Sequence, residues 1–149
     1  MTHDSDMNLG LKNIWEFICY DSNGAEKWRE KRKNLVVTAG KGYVASRMKD
    51  TTDGAMSHMA VGTNSTAAAA GDTAVGTESG RVSLTSTTVS ANVITYVATF
   101  PAGTATAALA EAAILNASSG GTMLCRTVYA TVNKGASDAM TITWAITAS

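Results

Sequence analysis

The chain has 149 residues, 45% of them apolar, and its basic and acidic side chains balance to a formal net charge of zero. This length and composition fit one globular domain with a sizeable core, and a neutral chain gives no long-range field that favours nucleic acid or an anionic membrane. No apolar run approaches the roughly 20 residues of a membrane-spanning helix, and the polar, acidic first residues do not resemble a secretory signal. We therefore expect a protein that is made and folded in a cytoplasm.

Charge is distributed unevenly along the chain. Residues 1–50 hold 16 of the 24 charged side chains, whereas residues 51–149 are rich in Ala, Thr, Ser and Gly. Small neutral side chains lose little entropy when a contact orders them, so the later part would suit close packing against other subunits. A β-protein that simply tolerates a weakly charged surface would have the same composition.

The chain is predicted to begin with an arm. Nothing in residues 1–11 can fill a core, so we expect a flexible or docking segment there, followed by a single β domain at residues 12–149. That domain would open with a charged hairpin at residues 14–38 and close with the strands of residues 92–149.

The first strand of the hairpin is predicted at residues 14–20, where Trp15, Phe17 and Cys19 alternate onto one face. The segment Asp21–Gly24 favours a tight turn, because its Asn-Gly pair readily supplies positive φ angles. The chain would then return as a second strand beside the first.

The returning strand is predicted to be a solvated sheet edge and a candidate protein interface. One uncharged residue, Trp28, stands among seven charged ones: Glu26, Lys27, Arg29, Glu30, Lys31, Arg32 and Lys33. Such charges guard an edge against unwanted strand pairing. The interleaved glutamates argue against phosphate binding, and an exposed aromatic side chain favours a protein contact. For Trp28, packing inward beneath the hairpin is the alternative.

The next part of the chain carries weaker signals. Leu35–Thr38 is apolar and β-branched, as in a buried strand or strand end. Ala39–Gly42 lacks the spacing of a phosphate-binding loop, so nucleotide binding is discarded. We predict a short helix at residues 43–48, a short strand at 56–63, and a helical turn or loop at 64–72.

Residues 92–149 carry the clearest strands, at 92–100, 123–132 and 140–147. The chain's one proline stops the first of them. Alternation predicts an inward set that would form the core of the domain: Ile94, Tyr96, Phe100, Leu124, Val128, Ile142, Trp144 and Ile146. Alternation also predicts that one face of the strand at 123–132 carries Leu124, Val128, Ala130 and Val132.

Residues 104–116 are ambiguous. The run from Thr106 to Leu115 is rich in Ala and Leu and favours a helix by intrinsic propensity. Its neighbours in sequence are strands joined by short turns, and such surroundings favour a further strand.

The sequence offers no constellation for catalysis or metal binding. His3 and His58 have no Cys or His neighbour at ligand spacing, and no nucleophile motif or paired carboxylates occur. Cys19 and Cys125 lie in strand-like runs, where buried free thiols are the common outcome, although a disulfide between them is the alternative. We expect no enzyme activity, no metal and no cofactor.

Several ordered segments resemble small virion structural proteins of tailed double-stranded DNA bacteriophages. The hairpin and its continuation resemble the opening pattern D-x-x-G-x-x-K-W … N-x-V-x-x-x-G of such proteins, here from Asp21 to Trp28 and from Asn34 to Gly40. The resemblance covers the chain from about Trp15 to Thr147. The other matching segments follow in order at residues 60–63, 71–74, 77–78, 94–103, 111–117, 121–128 and 140–144.

The resemblance implies a β-rich fold and no enzyme activity. Relatives of this kind usually have Gly where Ala113 stands, and the segment around Glu111 is a strand in them. This implies a strand at residues 104–116, against propensity. With the residue pattern, it gives an all-β fold: an antiparallel β-sandwich or jelly-roll-like barrel with at most one or two short helices.

Two virion locations follow from the resemblance. A head decoration, or cement, protein sits on the capsid, commonly as a trimer, and clamps the major capsid protein and copies of itself. A tail, baseplate or fibre-attachment protein has a similar build. Either would be made in the host bacterial cytoplasm and end in the virion, with no nucleic acid or membrane partner. On this reading, residues 1–11 and Glu26–Lys33 are expected to contact the capsid or a neighbouring copy.

A third interpretation comes from a different class of protein, a carbohydrate-binding β-sandwich module. Such a module presents an exposed platform of aromatic side chains. The three tryptophans, Trp15, Trp28 and Trp144, are scattered along the chain, and two of them lie on faces that are expected to be buried.

Overall fold

The computed structural model describes residues 10–49 and 53–148 of the chain. In this part the chain forms the following elements: β1 Leu11–Tyr20, β2 Glu26–Lys33, β3 Leu35–Val36, α1 Thr38–Lys49, β4 His58–Gly62, β5 Glu78–Ser83, β6 Ser86–Ser90, β7 Val93–Phe100, β8 Ala107–Leu115, β9 Met123–Lys134 and β10 Ala139–Ala148. The predicted all-β class with a short helix is confirmed.

The strands form two five-stranded antiparallel sheets. The first sheet has the order β2-β1-β10-β7-β6, and the second has the order β3-β9-β8-β4-β5. Each sheet has two edge strands and does not close on itself, so the architecture is the predicted sandwich and not the barrel. In both sheets the strands pair in hairpins and with distant parts of the chain, as β1 does with β10.

The core between the sheets is centred on aromatic side chains from β1, β9 and β10. Trp15, Phe17 and Trp144 are fully or almost fully buried. The ring of Trp15 stacks on Tyr129 with centroids 4.6 Å apart and meets Trp144 edge-on at 6.4 Å. Aromatic rings prefer offset-stacked and edge-to-face arrangements, so the stacking of Trp15 on Tyr129 helps to fix how the first sheet lies on the second. Trp15 and Trp144 are cross-strand neighbours within the first sheet.

Most of the predicted inward set lies in or against this core, but two predictions on β9 are wrong. Val128 is only half buried and Ala130 is exposed, whereas Tyr129 is buried instead. The register with β8 shifts here: Glu111 pairs with Val128, but Leu109 pairs with Val132. Three residues of β9 therefore face one residue of β8, and this bulge breaks the alternation on which the prediction rested.

The ambiguous alanine-rich segment is a strand, as the resemblance implied. β8 pairs with β4 on one side and with β9 on the other. All residues from Leu109 to Leu115 are buried, because one face lies on the core and the other is covered by residues 37–39 and by the loop at residues 63–77. Pairing on both edges and burial on both faces override the helix propensity of this composition.

Helix α1 begins at Thr38, five residues before the predicted start, and the strand or strand end predicted at Leu35–Thr38 already ends at Val36. The helix lies against β9, with Tyr43 in the core. A Cβ atom at Gly40 would lie 2.0 Å from the carbonyl oxygen of Leu124. Glycine is therefore required for this approach, and packing onto β9 compensates for its poor helix propensity.

The ends of the domain differ slightly from the prediction. The predicted arm falls mainly on residues 1–9, which lie outside the described residues. Leu11, assigned to the arm, instead begins β1, pairs with Ala148 and packs against the core.

Cys19 and Cys125 are buried free thiols, as predicted. Along residues 10–49 and 53–148, the structure has no helix with the length and apolar character to cross a membrane.

Candidate interaction surface

The eight residues predicted as an interface form β2, the edge strand of the first sheet. β2 pairs with β1 along one side only. Seven of its residues are exposed, and Glu30 is intermediate. The structure thus gathers all eight on one accessible strand, and their role as an interface stays a prediction.

Pairing with β1 decides which way the side chains of β2 point, because residues directly opposite each other share a sheet face. Lys33 lies opposite the half-exposed Ile14, on the outer surface of the first sheet. Trp28 lies opposite the buried Cys19, so it is on the core-facing side at the rim of the sandwich. Trp28 nevertheless remains 45% exposed, which does not fit packing beneath the hairpin.

Ion pairs neutralise only part of the charge on β2. Arg29 contacts Glu26 at 2.9 Å and Glu16 at 3.4 Å, and Arg32 pairs with Glu30. Lys31 and Lys33 have no ion pair among the described residues. Five basic side chains against two acidic ones therefore leave this edge positive, with the uncompensated charge towards its Lys33 end.

The other end of β2 is fastened to the turn between β9 and β10. Lys27 Nζ donates to Asp138 Oδ2 at 2.7 Å, and the same oxygen accepts the Gly135 N–H at 2.7 Å. These two contacts hold the pKa of the Asp138 carboxyl below its ordinary value, and the contact with Asp138 raises the pKa of Lys27. Beneath them, the buried Lys134 Nζ donates to the carbonyl oxygens of Pro101 and Asp138, and burial lowers its pKa.

The outer face of the first sheet changes character away from β2. By register, β10 places Thr141, Thr143 and Ala145 beside Ile18, Glu16 and Ile14 of β1. On the far side of β10, β7 continues these rows with small or β-branched residues such as Thr95 and Thr99. The face therefore runs from a basic edge through a mixed strand to an uncharged surface.

A buried ion cluster, which no sequence motif predicted, lies on the outer face of the second sheet. Arg126 of β9 donates through Nε and Nη2 to Glu111 Oε2 of β8, at 3.0 and 2.8 Å. Its Nη1 donates to Asp72 Oδ2 at 2.9 Å. Glu111 is fully buried and Arg126 is 3% exposed, so both charges are compensated by direct partners.

This cluster binds the loop at residues 63–77 to the sheet. The carboxylate of Glu111 accepts backbone N–H groups from Asn64, Gly76 and Thr77, and Arg126 also donates to the carbonyl of Thr66. The one available signal was position: Asp72, Glu111 and Arg126 all stand in segments that carry the phage resemblance. Their partnership spans up to 54 residues, which no local pattern reveals.

No group of three His, Cys, Asp or Glu side chains that could hold a metal ion occurs in the part of the chain that the structure describes. His58 is occupied locally, with Nδ1 2.8 Å from Ser57 Oγ and Nε2 3.4 Å from Ser83 Oγ. A cleft between α1 and β7, about 350 Å³ in volume, has Arg47 as its one charged lining residue.

In comparisons with known proteins, no family model, no curated protein and no solved structure matches this chain.

Proposed function

We propose that this chain is a non-enzymatic structural protein of a tailed-phage virion. In this proposal it decorates the outer surface of the head, where it contacts the major capsid protein and neighbouring copies of itself and so stabilises the shell. The support is the ordered resemblance of its segments to such proteins, together with a fold that divides its surface into a charged edge and neutral faces.

The observation that carries the proposal is the β2 edge. A strand with seven charges resists pairing with another strand, so it is suited to contacts through its side chains. Trp28 supplies a half-exposed aromatic group at its rim, and Lys31 and Lys33 supply uncompensated positive charge. An aromatic side chain surrounded by charged residues is suited to anchor a protein interface. The positive charge of β2 would be complementary to an acidic surface of the capsid.

The rest of the surface also suits a shell protein. Four of the eight charged residues after residue 50 are buried, namely Glu111, Arg126, Lys134 and Asp138. The exposed surface of the later strands is therefore neutral and built largely from Thr, Ser and Ala, which cost little entropy to order. Many weak contacts of this kind add up when numerous copies bind one shell.

The carbohydrate-binding alternative is less well supported by the arrangement of the tryptophans. Trp15 and Trp144 are fully buried in the core, so Trp28 is the one exposed tryptophan. A single half-exposed indole beside lysines and arginines does not form the aromatic platform that stacks on sugar rings. Binding on a glycan array would favour that alternative.

The experiment is a binding assay with purified heads that lack the protein, from the phage that encodes it. Wild-type protein is expected to co-sediment with heads to saturation. Trp28→Ala should weaken binding about tenfold or more, as hot-spot truncations do. Lys33→Glu should also weaken it, most strongly at low salt.

The matched control is Lys41→Glu, the same charge reversal at an exposed residue of α1. It should bind heads as the wild type does. If the wild-type protein does not bind heads, the head assignment is wrong. If Lys33→Glu and Lys41→Glu behave alike, β2 is not the contact edge.

A further inference from the structure

The two edges of the first sheet differ in kind. β2 has seven charged side chains, whereas β6, at the opposite edge, has none in its sequence Ser86-Thr87-Thr88-Val89-Ser90. All five residues of β6 are exposed. An edge strand with no charge, no proline and no bulge is one that has no protection against pairing with another strand.

The backbone of β6 is available along its outer side. β6 pairs with β7 in unbroken register from Ser86–Val97 to Ser90–Val93. Among the described residues, no other backbone hydrogen bond is made by Ser86–Ser90. Val89 is 72% exposed, so an apolar side chain stands in water at this same edge.

The sequence of β6 is close to a palindrome, and this indicates the partner. If β6 meets β6 of a second copy in antiparallel fashion about Thr88, Ser86 faces Ser90 and Thr88 faces Thr88. Thr87 then faces Val89, which has nearly the same shape. Like-sized β-branched pairs and Thr–Thr pairs are favourable across antiparallel strands, and this register places no two charges together.

We propose that two copies of this chain pair through β6, antiparallel about Thr88, so that the two first sheets join into one. Each copy contributes five strands to the joined sheet. Thr88, opposite Thr95, lies on the outer face at the two-fold axis, while Thr87 and Val89, opposite Tyr96 and Ile94, lie on the core-facing side. Pairing covers Val89 with Thr87 of the second copy.

We expect the assembly to stop at two copies. The joined sheet ends at both sides in β2, whose charges resist further pairing. A contact of two five-residue strands is small, so we expect a weak dimer that becomes well occupied only at high local concentration, as on a shell. A pair differs from the trimer that is common among decoration proteins.

This dimer would supply the contact between neighbouring copies in the proposed function, and in that respect it rests on the proposed function. It is tested in solution without heads, so its failure is separate from failure of head binding. Sedimentation equilibrium of the full chain, up to about millimolar concentration, should show a reversible monomer–dimer equilibrium. Thr88→Lys and Thr88→Glu, each of which places like charges opposite each other, should each weaken the dimer about tenfold or more.

Mixing the two variants gives the sharpest test. Because Thr88 faces its own copy, an equimolar mixture of Thr88→Lys and Thr88→Glu should dimerise again, at least as well as the wild type. Thr131→Lys, at an exposed strand residue of the second sheet, should leave the dimer unchanged. Circular dichroism checks that each variant is folded.

Three results would each overturn the proposal. The first is a wild-type chain that remains monomeric throughout, or forms a trimer. The second is a dimer that tolerates both charges at Thr88. The third is loss of the dimer in both folded variants without recovery on mixing.

Discussion

Arg126 and Glu111, on neighbouring strands of the second sheet, form a buried ion pair whose Nη2 and Oε2 atoms are 2.8 Å apart. The pair lies beneath the loop at residues 63–77, and the carboxylate takes three backbone N–H groups of that loop. The pair therefore holds the loop in place over part of the outer face of β8, which helps to bury this alanine-rich strand on that side.

Removing one partner of this pair should be costly. Glu111→Gln leaves the guanidinium of Arg126 buried with Asp72 as its remaining acidic partner, and we expect the free energy of unfolding to fall by about 3 kcal/mol. Arg126→Met should cost a similar amount. Urea denaturation of both variants and of the double variant measures this.

The double variant should lose much less unfolding free energy than the sum of the losses in the two single variants, because it leaves neither buried charge without its partner. Additive losses would show that the two residues act independently, contrary to the structure. Thr131→Lys, away from the cluster, serves as a control with a near-neutral expected effect.

Two glycines of α1 should respond oppositely to the same substitution. Gly40→Ala places a Cβ atom against the Leu124 carbonyl oxygen, so we expect a loss of about 1–3 kcal/mol or more. Gly42→Ala meets nothing within 4 Å and should gain roughly 0.5–1 kcal/mol from better helix propensity. Thermal unfolding of the two variants decides this, and equal effects would mean that α1 does not lie on β9 as described.

The contact between Lys27 and Asp138 should make stability depend on pH. The pKa of Asp138 is held below its ordinary value of 3.8, so its contribution is present above that pH and is lost as the pH falls through the folded-state pKa. The pKa of Lys27 is raised above 10.5, so its contribution is present below that pH and is lost as the pH rises through its folded-state pKa.

Asp138→Asn tests the acid side of this dependence. The variant keeps an oxygen that can accept the Gly135 N–H but loses the ion pair. It should be less stable than the wild type at pH 7, and the difference should shrink as the pH falls below 3.8. Chemical denaturation across this range measures it, and a difference that stays constant with pH would contradict the assigned pKa shift.

The predicted arm can be tested on heads. Because Leu11 is paired with Ala148 in β1, the deletion that leaves the sandwich intact ends at residue 9. We expect protein without residues 1–9 to keep its thermal stability and to reach lower occupancy on purified heads. Unchanged occupancy would remove the arm from the contact.

Strand positions followed from the sequence where alternation is regular. Trp15, Phe17 and Cys19 on β1 and Ile142, Trp144 and Ile146 on β10 are buried as their spacing predicts. These two strands pair with each other without a register shift. Period-two patterns are reliable in such strands, because every second side chain reaches the same face.

Features that depend on distant contacts could not be predicted in this way. The bulge at Leu109 and Glu111 turned Val128 out of the core, and alternation within β9 alone carries no sign of it. The early start of α1 depends on the close approach of Gly40 to Leu124, 84 positions away in sequence. The helix was therefore predicted to begin only at residue 43.

The exposed position of β2 could be predicted from the sequence, whereas the buried ion cluster could not. Seven charges in eight residues fit only a solvated strand, so β2 could be placed at an edge from its letters. Nothing near Asp72, Glu111 or Arg126 in the sequence shows which residue compensates its charge. Only the fold brings these three together.

The proposal that this chain is a structural protein of the phage head can be checked by counting its copies in purified virions. Gel densitometry against the major capsid protein gives that number. A protein that covers a shell should be present at hundreds of copies per head. A few to about a dozen copies would instead indicate the tail, and absence from the virion would refute the proposal.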